Sequence, residues 1–388
     1  MSKILIIAGF LTFLLSCNSE PSEKSTTTNG SNNKTSKAVE GKDYVILKRF
    51  RVVDAQGFNQ PVEVSSFLLP ANWQVNSAIQ WNGTNKCMPE MVQASIQATS
   101  PDKEFELLMF PVTQFDWSND AVYLDAMKRG FNMHSCNIAK PEDATGYIRK
   151  YLAPYLKAQV KTAKPIDALQ QQMDEGARQM TTIARQAGNN AYSHKGSAAE
   201  GMLQFADNNE GLAFCTLMQT ITTMPGTQGG MANTYQCYVS MRIVLKYKTG
   251  NEAMARKIAS TFFSSSKINP QWATAVQTFF ANIGRSAQVE LGKQIEISRQ
   301  AQEEIGNNIV RNWEKNNSSS NSTEQFNQQF GEYLRGVDGW TDDGGNKVEL
   351  TSGYSNAWGK GDGSYLLSND PSFDPNVTFN ESWKRLNK

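Results

Sequence analysis

Two long β-type runs on either side of a glycine-rich turn place the strongest constraint on the fold of this chain. The runs EGLAFCTLMQTITTM and NTYQCYVSMRIVLKYK are rich in Thr, Val, Ile, Tyr and Phe, and the segment PGTQGG lies between them. Such runs form strands, and a short glycine-rich segment between them predicts a hairpin. Because a hairpin joins antiparallel neighbours, the sequence predicts an antiparallel sheet.

Strand and helix patterns around this hairpin extend the prediction. Helical patterns begin at the cap residues Asp120 and Asp143, after Pro165, and at Asn251. Further strand patterns precede these helices: YVILKRFRVVD, VEVSSFLLP, MVQASIQATS and FELLMFPVTQFDW. The order predicts an α+β domain over residues 43–268, in which helices cover an antiparallel sheet.

The N-terminal segment has the layout of a secretory signal peptide. Lys3 precedes an apolar run over residues 4–15, and Ser16 and Cys17 follow it. The run is shorter than the roughly 20 residues that a membrane-spanning helix needs. A plain signal peptide and an uncleaved anchor are the two alternatives for this segment.

The end of that segment, Leu14-Leu15-Ser16-Cys17, resembles the lipobox of bacterial lipoproteins. The resemblance implies cleavage before Cys17 and attachment of diacylglycerol and a further acyl chain such as palmitate, which would anchor the protein permanently to a membrane. Residues 18–42 are rich in Ser, Thr, Asn, Lys and Glu, which predicts a flexible tether. We therefore expect a lipid-anchored protein of the bacterial cell envelope, on a periplasmic or surface face.

The cysteines suggest two disulfides. The chain has 5 cysteines, of which one is Cys17, and an even remainder in an exported protein favours pairing. If the hairpin centres on Gly226, Cys215 and Cys237 face each other across the ladder. That arrangement leaves Cys87 to pair with Cys136.

A metal site is the alternative for part of this set. His134 and Cys136 are two residues apart and point to one side of an extended segment, with Cys87 as a third ligand. Zinc sites usually have four protein ligands, or three and a water, and show paired spacings that this chain lacks. We therefore expect no metal and no cofactor.

The region after residue 268 divides into three parts. Apolar residues recur at three- and four-residue steps over 269–315, which predicts one long amphipathic helix or two collinear helices. We expect its apolar stripe to pack on the rest of the chain; a partner-binding coiled coil is the alternative. Residues 316–322 have linker composition, and residues 323–388 form a small C-terminal domain.

The segment 353–371 within that last part is similar to two ligand loops but matches neither. It lacks the spacing and the hydroxyl of a phosphate-binding loop, and after Asp362 it lacks the ligand row of a calcium loop. Turns at residues 342–345, 352–353 and 359–363 instead predict a β-meander with the strands KVEL, YSNAW and SYLLS. Residues 354–358, 365–368 and 370–376 resemble a hairpin motif of uncharacterised secreted bacterial proteins, which implies no particular chemistry.

A second resemblance concerns the first domain. The phrases FLLPANW and SPDKEFELLMFP, within residues 60–118, resemble the opening of PsbP-like domains. The resemblance implies a sheet covered by helices. It also implies a binding or assembly role, because such domains are more often binding modules than enzymes.

Composition narrows the function further. Lys and Arg total 38 against 37 Asp and Glu, a net charge of +1, so we expect no nucleic acid partner. No complete catalytic motif is present, and the chain has only 2 histidines as general bases of the usual kind. We therefore expect a non-catalytic binding or assembly module for a protein or cell-wall partner. The alternatives are an envelope hydrolase that uses unidentified carboxylates, and a carrier of a small apolar ligand. The candidate contacts of such a carrier are Trp73, Trp81 and Trp117, provided that they line a groove; packing in the core is the other interpretation of these residues.

Overall fold

The computed structural model of the protein describes residues 38–58, 60–82, 87–131, 136–286, 327, 330–331, 333–334 and 336–388. The predicted lipidation site Cys17, nearly all of the predicted tether and the predicted linker at 316–322 lie outside these residues. Within them, no helix has the length and apolar character required to cross a membrane.

Most of the regular structure is β-sheet. The strands of the described residues are β1 (Tyr44–Asp54), β2 (Val62–Pro70), β3 (Gln74–Trp81), β4 (Val92–Thr99), β5 (Phe105–Met109), β6 (Thr113–Ser118), β7 (Asn137–Ile138), β8 (Gln159–Pro165), β9 (Tyr192–Gln204), β10 (Asn209–Pro225), β11 (Met231–Lys248), β12 (Lys267–Ile268), β13 (Val337–Thr341), β14 (Lys347–Thr351), β15 (Asn356–Gly359), β16 (Tyr365–Ser368) and β17 (Lys384–Arg385).

The strands form two large sheets and one small one. The larger sheet has the order β3-β4-β5-β11-β10-β9-β8, with β6 and β7 paired along another part of β11. The second sheet has the order β12-β2-β1-β16-β15-β17, and β13 pairs with β14. All these pairs are antiparallel except β6 and β7. The predicted α+β class is consistent with this mixture of antiparallel sheets and a few helices.

The helices are fewer and mostly short. In the described part of the chain they include α1 (Ala121–Ala126), α2 (Ala144–Tyr147), α3 (Ala153–Tyr155), α4 (Asp167–Gln186), α5 (Glu252–Ser265), α6 (Pro270–Ser286) and α7 (Pro375–Phe379). Asp120 and Asp143 cap α1 and α2 as predicted, since their side chains accept from the backbone N–H of Tyr123 and Gly146. Asn251 precedes α5, but its side chain makes no capping bond.

Helix α5 lies in the main core. Its buried apolar residues recur at helical spacing, so that one apolar face packs inward: Ala255, Ile258, Ala259, Phe262 and Phe263. The same cluster contains Phe67 and Leu69 of β2 and Phe214 and Leu245 of the larger sheet. The helix therefore joins the two large sheets through a common core.

The opposite face of the larger sheet has a separate core. Helices α2 and α3, with the π-helical turn Ile148–Leu152 between them, cover this face. Cys215 and Cys237 are fully buried within that cluster. Burial raises the pKa of the Cys237 thiol to about 12, with the nearby Asp116 as a smaller cause.

The predicted disulfide between Cys215 and Cys237 is wrong, because the hairpin centres elsewhere. Pro225 pairs with Met231, so the turn centres on Gln228 and not on Gly226. Moving the centre by two residues moves each cross-strand partner by four, and Cys237 therefore lies opposite Gln219. The two cysteines are offset by roughly 13 Å along the ladder, and both are free thiols.

The C-terminal strands join the first strands of the chain. The predicted meander is instead two hairpins in different sheets, one of β13 and β14 and one of β15 and β16. The turn of the second hairpin has Gly363 in the left-handed region at φ 81°. β16 then pairs with β1 along Tyr44–Leu47. The segment that the sequence assigns to a separate C-terminal domain thus completes a sheet with residues 44–70.

The long helix predicted over 269–315 is not confirmed. Helix α6 is described over Pro270–Ser286, and residues 287–315 lie outside the described part of the chain. Within α6, Val276 is buried, and Trp272 and Phe279 pack against the main core. The beginning of the apolar stripe therefore packs on the chain itself.

Candidate functional site

A partly open cavity of about 200 Å³ lies between the main core and the C-terminal strands. Its walls come from β1, β2, α5, the residues after β2 and the β4–β5 turn. The surface of the cavity is mostly apolar. The apolar residues of its walls include Leu47, Leu68, Leu69, Trp73, Phe105 and Ile258.

Local turns place the aromatic wall of this cavity. A turn after β2 brings the Trp73 backbone N–H to 3.1 Å from the Pro70 carbonyl oxygen. The Trp73 ring then stacks on Phe105 with a centroid distance of 6.3 Å. Trp73 is buried and Phe105 is only partly so, and this pair forms a rigid apolar surface.

Polar groups lie at the rim. The charged residues that line the cavity are Glu40 and Asp102. The pKa of Asp102 is lowered, mainly by a hydrogen bond from the Ser100 hydroxyl and also by the Glu104 backbone N–H. Partial burial raises the pKa of Glu40. Both charged groups at the rim are thus acids, in different hydrogen-bonding environments.

A tight turn places Glu40 at this rim. Gly41 has φ 84°, and its N–H donates to the Tyr44 carbonyl oxygen at 2.8 Å. The Asp43 carboxylate accepts from the Val39 backbone N–H at 2.7 Å. The turn directly precedes β1, and Glu40 and Gly41 line the cavity together with Val45 and Leu47 of that strand.

Of the three tryptophans predicted as ligand contacts, only Trp73 lines the cavity. Trp81 is at the end of β3, where its indole N–H donates to Asp54 at 2.8 Å. Trp117 is half-buried on β6 and packs against Tyr235 with a ring centroid distance of 5.8 Å. The fold therefore does not bring the three side chains to one site.

Asp54 and the four N–H groups that donate to it form a buried hydrogen-bonded cluster, here called the Asp54 corner, which the sequence did not reveal. The Asp54 carboxylate is fully buried and accepts four N–H groups. The backbone N–H groups of Gln56 and Gly57 donate to Oδ1 at 3.0 and 2.8 Å. The indoles of Trp81 and Trp272 donate to Oδ2 at 2.8 and 3.0 Å. The donor set satisfies the carboxylate, and no part of it lines the cavity.

The predicted disulfide between Cys87 and Cys136 is confirmed. The bond leaves neither sulfur free as a thiolate ligand, which removes the basis of the alternative metal site. The third member of that site, His134, lies outside the described residues. In the described ranges, no group of three or more His, Cys, Asp or Glu side chains is arranged to hold a metal.

Two buried carboxylates on neighbouring strands bear on the hydrolase alternative. Glu200 of β9 pairs with Lys164 at 3.2 Å and with Arg256 at 3.4 Å. Glu210 of β10 pairs with Lys161. Neither acid lines the cavity. Because each is neutralised by a cation within the fold, their geometry is that of structural ion pairs.

Sequence reasoning missed Glu40 and most of the cavity wall. Leu68 and Leu69 are read from the sequence only as strand residues, and Ile258 only as a helix residue. No local pattern indicates that these elements leave a space between them. The signal that could have found Glu40 is the turn composition of Glu40-Gly41-Lys42-Asp43 before a strand.

Comparisons with known proteins leave the site without a precedent. No protein-family model matches the chain, and no match was found among curated proteins or among solved structures. The cavity is therefore interpreted from its own geometry.

Proposed function

We propose that this protein is a lipid-anchored protein of the bacterial cell envelope whose folded body binds an apolar group without catalysing a reaction. The observation that carries the proposal is the mostly apolar cavity of about 200 Å³ with Trp73 on its wall. Anchoring through Cys17 is supported by the lipobox-like sequence Leu14-Leu15-Ser16-Cys17. Of the functions considered, the carrier of a small apolar ligand has the most specific structural support.

The size of the cavity defines how much of a ligand it can hold. Pockets for drug-sized ligands are larger, about 300–1,000 Å³. An apolar cavity of about 150 Å³ is enough to hold benzene. The cavity of about 200 Å³ therefore suits one ring or a short alkyl segment. The rest of a larger ligand would lie outside the mouth.

The test uses a fluorescent apolar probe and a substitution at the mouth. Met254 lines the cavity from α5 and is 45% exposed, so Met254→Trp adds bulk without changing a buried core position. Met231→Trp is the matched control, since Met231 is 65% exposed and lies at the hairpin turn, outside the cavity. The probe is 1-aminonaphthalene, which is uncharged at neutral pH; one of its two rings would enter the cavity and the other would lie at the mouth, beside Met254.

For the wild type and for Met231→Trp we expect saturable binding of the probe, with a blue shift of its fluorescence emission. For Met254→Trp we expect binding weaker by about ten-fold, equivalent to about 1.4 kcal/mol. Thermal unfolding of both variants checks that they fold. Equal affinities of Met254→Trp and the wild type would overturn the proposed binding role. Mass spectrometry of the mature protein tests the anchor separately, with an acylated Cys17 as the expected N-terminus.

A further inference from the structure

The mouth of the cavity carries acidic charge only. Among the residues that line it, Glu40 and Asp102 are the ionisable acids, and none is Lys or Arg. A ligand that places an anionic group at this mouth would meet two negative charges. A ligand with a positive group there would be attracted.

The two acids are not equivalent. The Asp102 carboxylate accepts from the Ser100 hydroxyl at 2.5 Å and from the Glu104 N–H at 2.9 Å, so the turn already uses it. Within the described ranges, no ion pair or side-chain hydrogen bond engages the Glu40 carboxylate. Glu40 is thus the acid at the mouth that is available to pair with a cationic group of a ligand.

We propose that the cavity binds the alkyl chain of an amine-bearing lipid and that the Glu40 carboxylate pairs with its ammonium group. This inference rests on the proposed function, because it requires the cavity to be a ligand site. An apolar interior next to one acid matches an alkyl chain that ends in a cation. Roughly six to eight carbons would enter, by comparison with the benzene-sized cavity.

The position of Glu40 in the chain favours a membrane lipid as the source of the ligand. Glu40 is 23 positions after Cys17. If the segment between them is the flexible tether that its composition predicts, its root-mean-square end-to-end distance is about 25 Å. An anchor at Cys17 would therefore hold the mouth of the cavity within reach of the lipid headgroups.

The test compares two competitors of equal chain length, octylammonium and 1-octanol. Each competitor is titrated against 1-aminonaphthalene bound to the full chain, at concentrations below those at which the competitor itself aggregates. For the wild type we expect octylammonium to displace the probe at roughly three- to five-fold lower concentration than octanol. This ratio corresponds to the free energy of a solvent-exposed ion pair. Glu40→Gln should reduce this ratio to about one while octanol competes as before.

Glu175→Gln is the matched control, because Glu175 is an exposed acid on α4 and does not line the cavity. We expect it to keep the wild-type ratio. Equal potency of octylammonium and octanol in the wild type, or an unchanged ratio in Glu40→Gln, would overturn the lipid inference. Displacement by Nα-acetyl-lysine amide as strong as that by octylammonium would also overturn it, since a lysine side chain of a partner protein would then suffice.

The two proposals fail separately. If Met254→Trp weakens probe binding but the amine has no advantage, the cavity is a ligand site and only the amine-bearing lipid is excluded. If Met254→Trp has no effect on the probe, the proposed binding function itself is excluded.

Discussion

The two ends of strand β1 present an acid in opposite settings. At its C-terminal end, Asp54 is fully buried and accepts four N–H groups. Just before its N-terminal end, Glu40 lies at the open mouth of a cavity, and no such donors to it occur among the described residues. A carboxylate with a complete donor set holds the fold together. A carboxylate that lies beside an apolar cavity and lacks such a donor set is available to a ligand.

The Asp54 corner also shows how such a donor set is assembled. Gln56 and Gly57 are close in sequence, whereas Trp81 and Trp272 are 27 and 218 residues away. The carboxylate therefore links β1 to the end of β3 and to the start of α6. Its loss would release three segments of the fold at once, whereas changing Glu40 would disturb only a surface turn.

The largest expected effect is that of Asp54→Asn on stability. The amide keeps one acceptor for the backbone N–H groups of Gln56 and Gly57, but its NH₂ group then faces the indole donors of Trp81 and Trp272. Leaving buried donors unsatisfied costs about 3 kcal/mol in the free energy of unfolding. Urea unfolding at neutral pH measures this loss.

Glu40→Gln is the matched amide substitution at the other end of β1. Because its carboxylate lies at the surface and has no partner in the described chain, we expect a change within about 0.5 kcal/mol. If Asp54→Asn were as mild as Glu40→Gln, the distinction between a structural and an available acid would be lost.

Gly57→Ala should have the next largest effect. A Cβ at this position would lie 2.1 Å from the Trp81 ring, so the indole that donates to Asp54 would have to move. We expect a loss of about 2 kcal/mol in the same unfolding experiment. Gly176→Ala in α4 is the control: a Cβ there meets nothing within 4 Å, and helix propensity should stabilise the protein by about 0.5–1 kcal/mol.

An unchanged stability of Gly57→Ala would show that the Trp81 ring can shift without disturbing the hydrogen bonds of Asp54. Unchanged affinity of this variant for 1-aminonaphthalene is also expected, because neither Gly57 nor Trp81 lines the cavity. Loss of probe binding would mean that the two ends of β1 are coupled.

Features that depend on neighbouring residues were predictable from the sequence. The caps Asp120 and Asp143 need only a carboxylate and a backbone N–H three residues later. The hairpin of β10 and β11 was predictable as an element, since its strands are long and rich in β-forming residues. Its register was not, because three glycines in PGTQGG allow several turn centres.

Features that depend on distant segments were not predictable. The pairing of β1 with β16 joins residues that are more than 300 positions apart, and no pattern in either strand identifies its partner. The cavity likewise joins distant segments, since its lining extends from Glu40 to Tyr354. The fourth donor to Asp54, the indole of Trp272, could not be predicted from the sequence for the same reason.

The smallest expected effect is a pH dependence at Glu40. Partial burial raises its pKa in the folded protein above the ordinary value of 4.5. The folded state then holds the proton more tightly than the unfolded state, so the stability contributed by the protonated form is lost as pH rises through the raised pKa. Ammonium binding has the opposite requirement, because it needs the ionised carboxylate.

We therefore expect the preference for octylammonium over octanol, measured by calorimetry, to fall toward one as pH is lowered through the pKa of Glu40. Asp102 is the other acid at the mouth, and its lowered pKa keeps it ionised across this range. In Glu40→Gln the ratio should not change with pH. A pH-dependent ratio in that variant would assign the titration to another group and would remove Glu40 as the acid that distinguishes this end of β1 from the Asp54 corner.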